Sequence, residues 1–147
     1  MLSHIRGCVP GGKILEKCGV SMKRLPISIE AMLRRAVKSG EPFQINRLVG
    51  FYDTLSLRHV CPAGAFDLDV VHARLQLRFT TERDQFSALD AAESVPAAAG
   101  EVAYTSATTV LTRHFMWRQA REGLIGPASR RVFFVSEIPG FAGDEVA

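Results

Sequence analysis

The chain has 147 residues, 47% of them hydrophobic and 22% charged, with a formal net charge of +3 and a pI of about 9.0. That balance fits a folded globular domain with a real core and argues against intrinsic disorder. Mild basicity permits a nucleic-acid partner without requiring one, and no run approaches the roughly 18 apolar residues of a spanning helix.

Arg6, Gly11, Gly12 and Lys13 interrupt any signal-peptide core, so the expected location is the cytoplasm. The three cysteines, Cys8, Cys18 and Cys61, are far apart and form no Cys-x-x-Cys pair. The four histidines, His4, His59, His72 and His114, lack metal-ligand spacing. Free thiols, no metal site and no cofactor are the expectation.

In chain order, residues 1–27 carry Gly, Pro and Lys without periodicity, and Gly11-Gly12 marks a loop. Ser28 can cap a helix whose Ile29, Met32, Leu33 and Ala36 share one face. Arg34, Arg35 and Lys38 suit that helix's C-terminal dipole, and Gly40-Glu41-Pro42 stops it. A second helix is predicted from Asn46 to about His59, with Leu48, Val49, Tyr52, Leu55 and His59 as its apolar stripe. Asn46 suits the cap of its first turn, and Gln44 to Asn46 is also a corner where free backbone N–H groups could meet an anion.

Cys61-Pro-Ala-Gly-Ala-Phe-Asp67 reads as a tight connection that lets backbone approach a ligand. Cys61 is either a nucleophile or a small packed thiol. Asp67 and Asp69 share a face on an extended backbone, as an acid–base pair or as carboxylates bonding their own turn.

Val71 to Thr80 alternates Val71, Ala73, Leu75, Leu77 and Phe79 with His72, Arg74, Gln76 and Arg78, which predicts a half-buried strand. Thr81 to Gln85 reads as a polar turn, Phe86 to Leu89 as a short strand, and 91–100 as a surface loop. Glu101 to Tyr104, Thr109 to Phe115 and Arg131 to Glu137 read as strands, 123–129 as loop, and the tail from Pro139 as frayed.

Leu111 to Ala120 combines an apolar start with the only tryptophan, Trp117, then Arg118 and Gln119. Arg118 offers a planar fork of donors for phosphate or carboxylate, Gln119 an amide that donates and accepts, and Trp117 a flat face for a base. The competing reading makes Phe115 and Trp117 core and Arg118 a structural ion pair. Two helices followed by short strands predict an α+β domain, its helices packed on largely antiparallel sheets.

The segments Gln44–Leu57, Pro62-Ala-Gly-Ala-Phe-Asp-Leu-Asp69 and Arg113-His-Phe-Met-Trp-Arg-Gln119 with Val132-Phe-Phe-Val-Ser-Glu137 stand in an order that resembles the B3/B4 domain. That family is known from the β subunit of bacterial phenylalanyl-tRNA synthetase and from free-standing relatives. Pro26 to Arg35 resembles their upstream helix, and the similarity covers about residues 5 to 138.

The resemblance implies one three-layer α+β domain over residues 1–147, whose pocket hydrolyses the ester of a wrongly charged tRNA. It assigns Asn46 and Arg118 to catalysis. It assigns Gln44, Gly64, Ala65, Asp67, Trp117 and Gln119 to substrate binding. Its partner would be tRNA or aminoacyl-tRNA.

Relatives carry other residues at Gly50, Asp53 and Met116, and the synthetase's pocket histidine falls on Gly64. The usual domain also has more strand before residue 5 and a helix after about residue 138. A homodimer covering exposed edges, or an incomplete gene product, is the corresponding expectation. Three functions follow: a free-standing editing-like hydrolase, a non-catalytic tRNA-binding module, or a domain that moves an aminoacyl group to another acceptor in small-molecule metabolism.

Overall fold

The computed structural model of the chain describes residues 28–39, 45–115 and 117–137. Among them are two helices and nine short strands, an α+β arrangement with mostly antiparallel pairing. The chain divides into two compact units: Ala65–Phe134, and the residues before and after it.

In the first unit, helix α1 spans Ser28–Ser39 and helix α2 spans Arg47–His59, and the two are in contact. Ile29 is fully buried, and Glu30, also buried, accepts from Arg34 one turn on at 2.5 Å. Such an i, i+4 pair supports the helix by about 0.2–0.5 kcal/mol. Ser28 already lies inside α1, so a cap for it falls at a position outside the described residues. The expected stop at Gly40-Glu41-Pro42 also lies outside them, as do Gln44, residues 1–27, Met116 and the tail from Pro139.

Helix α2 begins where the sequence predicts. Asn46 is extended, and its Oδ1 accepts from Val49 N at 2.9 Å, satisfying one of the donors that every helix start leaves open. The buried face is Val49, Tyr52 and Ser56, so the expected stripe is displaced: Leu55 is 41% exposed and His59 is exposed. Spacings of three and four carry the line from Val49 through Tyr52 to Ser56, and Leu55 falls off its flank. Val60 closes the helix in a left-handed conformation, with Val60 N and Cys61 N both donating to Ser56 O.

Strand β1 (Ala63–Asp67) pairs with β9 (Val132–Ser136). The second unit holds a five-stranded sheet of β2 (Leu75–Phe79), β3 (Gln85–Phe86), β4 (Val95–Pro96), β5 (Val102–Ser106) and β6 (Thr109–Val110). Its order is β2-β5-β6-β3-β4, antiparallel except for β3 with β6. The strands β7 (Thr112–Arg113) and β8 (Arg118–Gln119) form a separate two-stranded ribbon, with Thr112 opposite Gln119 and Arg113 opposite Arg118. Phe86, Ala97, Ala103, Val110 and Ala120 make the buried cluster, with Ala88 against it.

Three strand expectations change. Val71–Thr80 shortens to β2, an edge strand whose Leu77 and Phe79 are 50% and 68% exposed. Phe86–Leu89 shrinks to Gln85–Phe86. Thr109–Phe115 breaks into β6, β7 and a turn in which His114 and Phe115 have φ of 45° and 64°. Strand-favouring residues are present in all three, but local propensity alone does not set where pairing stops.

Candidate functional site

Three carboxylates of the second unit, Asp67, Asp69 and Glu101, anchor the segments that carry or adjoin its candidate residues. Asp67, buried at the end of β1, accepts from Asp69 N at 2.8 Å through Oδ1 and from the Ser129 hydroxyl through Oδ2. Asp69 accepts from Arg130 N and Arg131 N at 2.9 and 3.1 Å and from Arg131 Nε at 2.7 Å. The Arg131 side chain and the two amides hold the Asp69 carboxyl below the ordinary carboxylate range. The pair therefore clasps the 129–131 loop to the end of β1. Its lone pairs are engaged within the fold, as an Asx-type turn would engage them.

The third carboxylate is Glu101, just before β5, with a side chain only 2% exposed. Arg113 meets it side-on, with Nε 3.1 Å from both oxygens and the Nη2 nitrogen 2.7 Å from Oε2. His114 N donates to Oε1 at 2.6 Å, and His114 Nε2 stands 3.6 Å from Oε2. The Arg113 guanidinium also lies 5.6 Å from the centroid of the Phe86 ring, a cation–π distance. A buried carboxylate needs this many donors, because its desolvation is otherwise uncompensated. Burial pushes the His114 imidazole below its ordinary value, Glu101 opposing and Arg113 assisting, so the ring is neutral at neutral pH.

On the turn and strand that follow, Trp117 is half-buried and tilted against the His114 ring at 5.6 Å. The Phe115 ring stacks on Tyr104 at 6.0 Å, and Tyr104 in turn meets Phe66 at 5.4 Å, so Phe115 belongs with the interior aromatics. Arg118 pairs with exposed Asp90 at 2.6 Å. Gln119 Nε2 donates to the Ala65 carbonyl at 3.1 Å. Ala65, Asp67, Trp117, Arg118 and Gln119 thus belong to one unit, with Gln119 bonded directly to Ala65.

Asn46 and Gly64 belong to the other unit. Asn46 caps α2, and among the described residues a Cβ added at Gly64 would meet Val135 Cγ1 at an ordinary 3.9 Å. Cys61 is a free thiol whose Sγ lies 3.1 Å from the Ser136 hydroxyl, which itself donates to Pro62 O at 2.9 Å. Gln44 lies outside the described residues. Among the described residues no group of three His, Cys, Asp or Glu side chains is placed to hold a metal, and no helix is long and apolar enough to cross a membrane.

Glu101, Ser129 and the Arg78–Asp84 pair do not stand out in the sequence as candidate residues. Two carried a signal of a kind: Glu101 follows Gly100 at the head of a Val-Ala-Tyr strand, and Asp84 closes a polar turn. An acid at the margin of an apolar strand is a candidate anchor for an arginine on its neighbour.

A family model for the B3/4 domain matches residues 13–143. No curated protein and no solved structure matches the chain. With the match extending over both units and nearly the whole sequence, the chain belongs to the B3/4 domain family, a family of tRNA-binding-related domains.

Proposed function

We propose that the chain is one B3/4 domain that hydrolyses the ester of a mischarged aminoacyl-tRNA, acting as a free-standing deacylase. The observation that carries this reading is the family match over residues 13–143. The geometry of individual side chains supports it. Gln119 is fixed on the Ala65 carbonyl, Asp67 on Ser129, and Trp117 against His114. Groups held in this way can orient an aminoacyl ester and a water with little reorganisation, which is where most of such catalysis arises. Arg118 supplies charge for a phosphate or the developing oxyanion, and Asn46 supplies an amide beside a helix start.

The test is release of free amino acid from a panel of mischarged tRNAs by purified protein, with Asn46→Ser and Arg118→Ala as variants. Serine keeps the cap on Val49 N and removes only the amide, whereas alanine at this position would also cost the helix about 1 kcal/mol. Turnover that falls in both folded variants supports the assignment; unchanged rates in both remove Asn46 and Arg118 from the site.

The second reading, a tRNA-binding module without hydrolysis, is favoured by one observation: Asp67 and Asp69 are engaged by the 129–131 loop and offer no free carboxylate for acid–base work. It expects tRNA binding that weakens steeply with salt, and no release of amino acid from any member of the panel.

A further inference from the structure

Building on the hydrolase reading, we propose that His114 is the proton acceptor that activates the attacking water, with Glu101 as its positioning residue. The imidazole is built into a frame. Its own backbone N–H donates to Glu101 Oε1 at 2.6 Å, and Glu101 is itself fixed by the side-on Arg113. The ring's Nε2 faces Oε2 at 3.6 Å, an ion-pair separation that is still too long for a hydrogen bond. Catalytic contacts of this kind shorten when substrate seats and the ring takes up charge.

In this role the neutral ring keeps its proton on Nε2, the nitrogen turned toward the carboxylate, and uses the lone pair at Nδ1. No hydrogen bond to Nδ1 is formed among the described residues, and the side chain as a whole is 22% exposed. Trp117 flanks the ring at 5.6 Å.

Two further features separate this histidine from a packed core residue. His114 and Phe115 both hold left-handed backbone without being glycine, with φ of 45° and 64°. Consecutive positions of that kind persist only where surrounding contacts over-determine them, and they gather at functional sites. The turn they make also leads directly into Arg118 and Gln119 on β8, so proton acceptor, cation and amide share one short ribbon.

Among the described residues, the charged groups acting on the ring are Glu101, which favours its charged form, and Arg113, which opposes it. Burial then keeps the ring uncharged at neutral pH, the state a base needs.

In the step itself, a water oxygen attacks the ester carbonyl carbon while Nδ1 takes one of its protons. The bond to the terminal ribose oxygen then breaks, and that oxygen leaves as a hydroxyl by taking the proton back from the imidazolium. The products are a free amino acid and an uncharged tRNA end. No oxidant or co-reactant is involved.

The experiment is a pH–rate profile of deacylation for the full chain and for His114→Asn, chosen because asparagine tolerates the left-handed backbone at this position. The wild type is expected to lose rate as pH falls through an ionisation below 6.5, the ordinary histidine value. His114→Asn is expected to lower kcat by about 10²–10⁴-fold with little change in KM, to lose that ionisation, and to recover rate with added imidazole. Glu101→Gln, which removes the charge that favours the imidazolium, should shift the midpoint to lower pH.

Wild-type turnover with no ionisation in that range, or an Asn variant that keeps both kcat and the ionisation, overturns the role of His114 and leaves the hydrolase reading standing. Absence of wild-type turnover on every mischarged tRNA overturns both.

Discussion

Gln119 reaches back 54 residues to donate its Nε2 hydrogen to the carbonyl of Ala65, 3.1 Å away. Ala65 is 1% exposed on β1, and Gln119 stands opposite Thr112 on β8, so one amide links the ribbon to β1. Exchanging Gln119 for glutamate would set a carboxylate against a carbonyl oxygen, with no donor between them. Leaving a buried acceptor unmatched costs about 1–3 kcal/mol, so Gln119→Glu is expected to be clearly less stable in urea than wild type. Gln119→Ala, which adds no charge, should lie between the two. Equal urea midpoints for all three proteins would mean that this bond contributes nothing to the fold.

Acid should weaken the second unit at a definite pH. Asp84 is fully buried and accepts from both terminal guanidinium nitrogens of Arg78 at 2.8 and 2.7 Å and from Thr81 N at 2.6 Å. Arg78 first, and then the Thr81 bonds, hold its carboxyl down to about 2 from 3.8. A depressed carboxylate stabilises the fold above its unfolded value and loses that contribution as pH falls toward the folded value. The shift corresponds to on the order of 2 kcal/mol, present at neutral pH and lost between about pH 4 and pH 2. Asp84→Asn should abolish this part of the acid transition while lowering stability at pH 7. A variant with an unaltered acid limb would place the titrating group elsewhere.

The opposite sign is expected at Asp53. Burial raises its carboxyl above the ordinary value, and its charge adds to the burial that lifts the neighbouring Tyr52 phenol to about 12. A raised carboxylate favours the fold when protonated and opposes it once ionised, so Asp53 lowers stability at neutral pH. Asp53→Asn is expected to raise the melting temperature at pH 7 and to lose that advantage below about pH 4. The same variant should bring the Tyr52 titration, read by absorbance, toward lower pH. A melting temperature that falls at pH 7 would show that the carboxylate is stabilising there.

These relationships explain which parts of the fold were legible in the sequence. Helix α2 was, because Asn46 is a cap residue followed by a 3.6-residue pattern, and both signals are local. Strand β9 was too, because Val132 to Ser136 is a β-branched and aromatic run. The anchors were not. Arg78 finds Asp84 six residues away and Arg113 finds Glu101 twelve residues away, and no periodicity marks either pairing. The turn at His114 and Phe115 looks like strand in the sequence because neither residue announces a left-handed backbone as glycine would. Of the candidate site, the residue types on β1 and β8 were legible; their partners depend on contacts across the unit, which residue spacing does not encode.

Arg118 separates stability from function most cleanly. Its Nη2 nitrogen meets Asp90 Oδ1 at 2.6 Å, but the Asp90 side chain is 78% exposed and that of Arg118 39%. A pair this open to water contributes between about 0 and 1 kcal/mol, since solvent screens it and two long side chains must be held still. Arg118→Ala should therefore leave the melting temperature nearly unchanged. If Arg118 meets a tRNA phosphate, that variant should bind tRNA more weakly and lower the salt slope by about one counterion. Asp90→Asn removes the competing carboxylate and frees the guanidinium, so it should bind more tightly than wild type, most visibly at low salt. Opposite shifts in the two variants at equal stability identify Arg118 as a nucleic-acid contact held in reserve by Asp90. Matching salt slopes for wild type and Arg118→Ala would return Arg118 to the role of a surface ion pair.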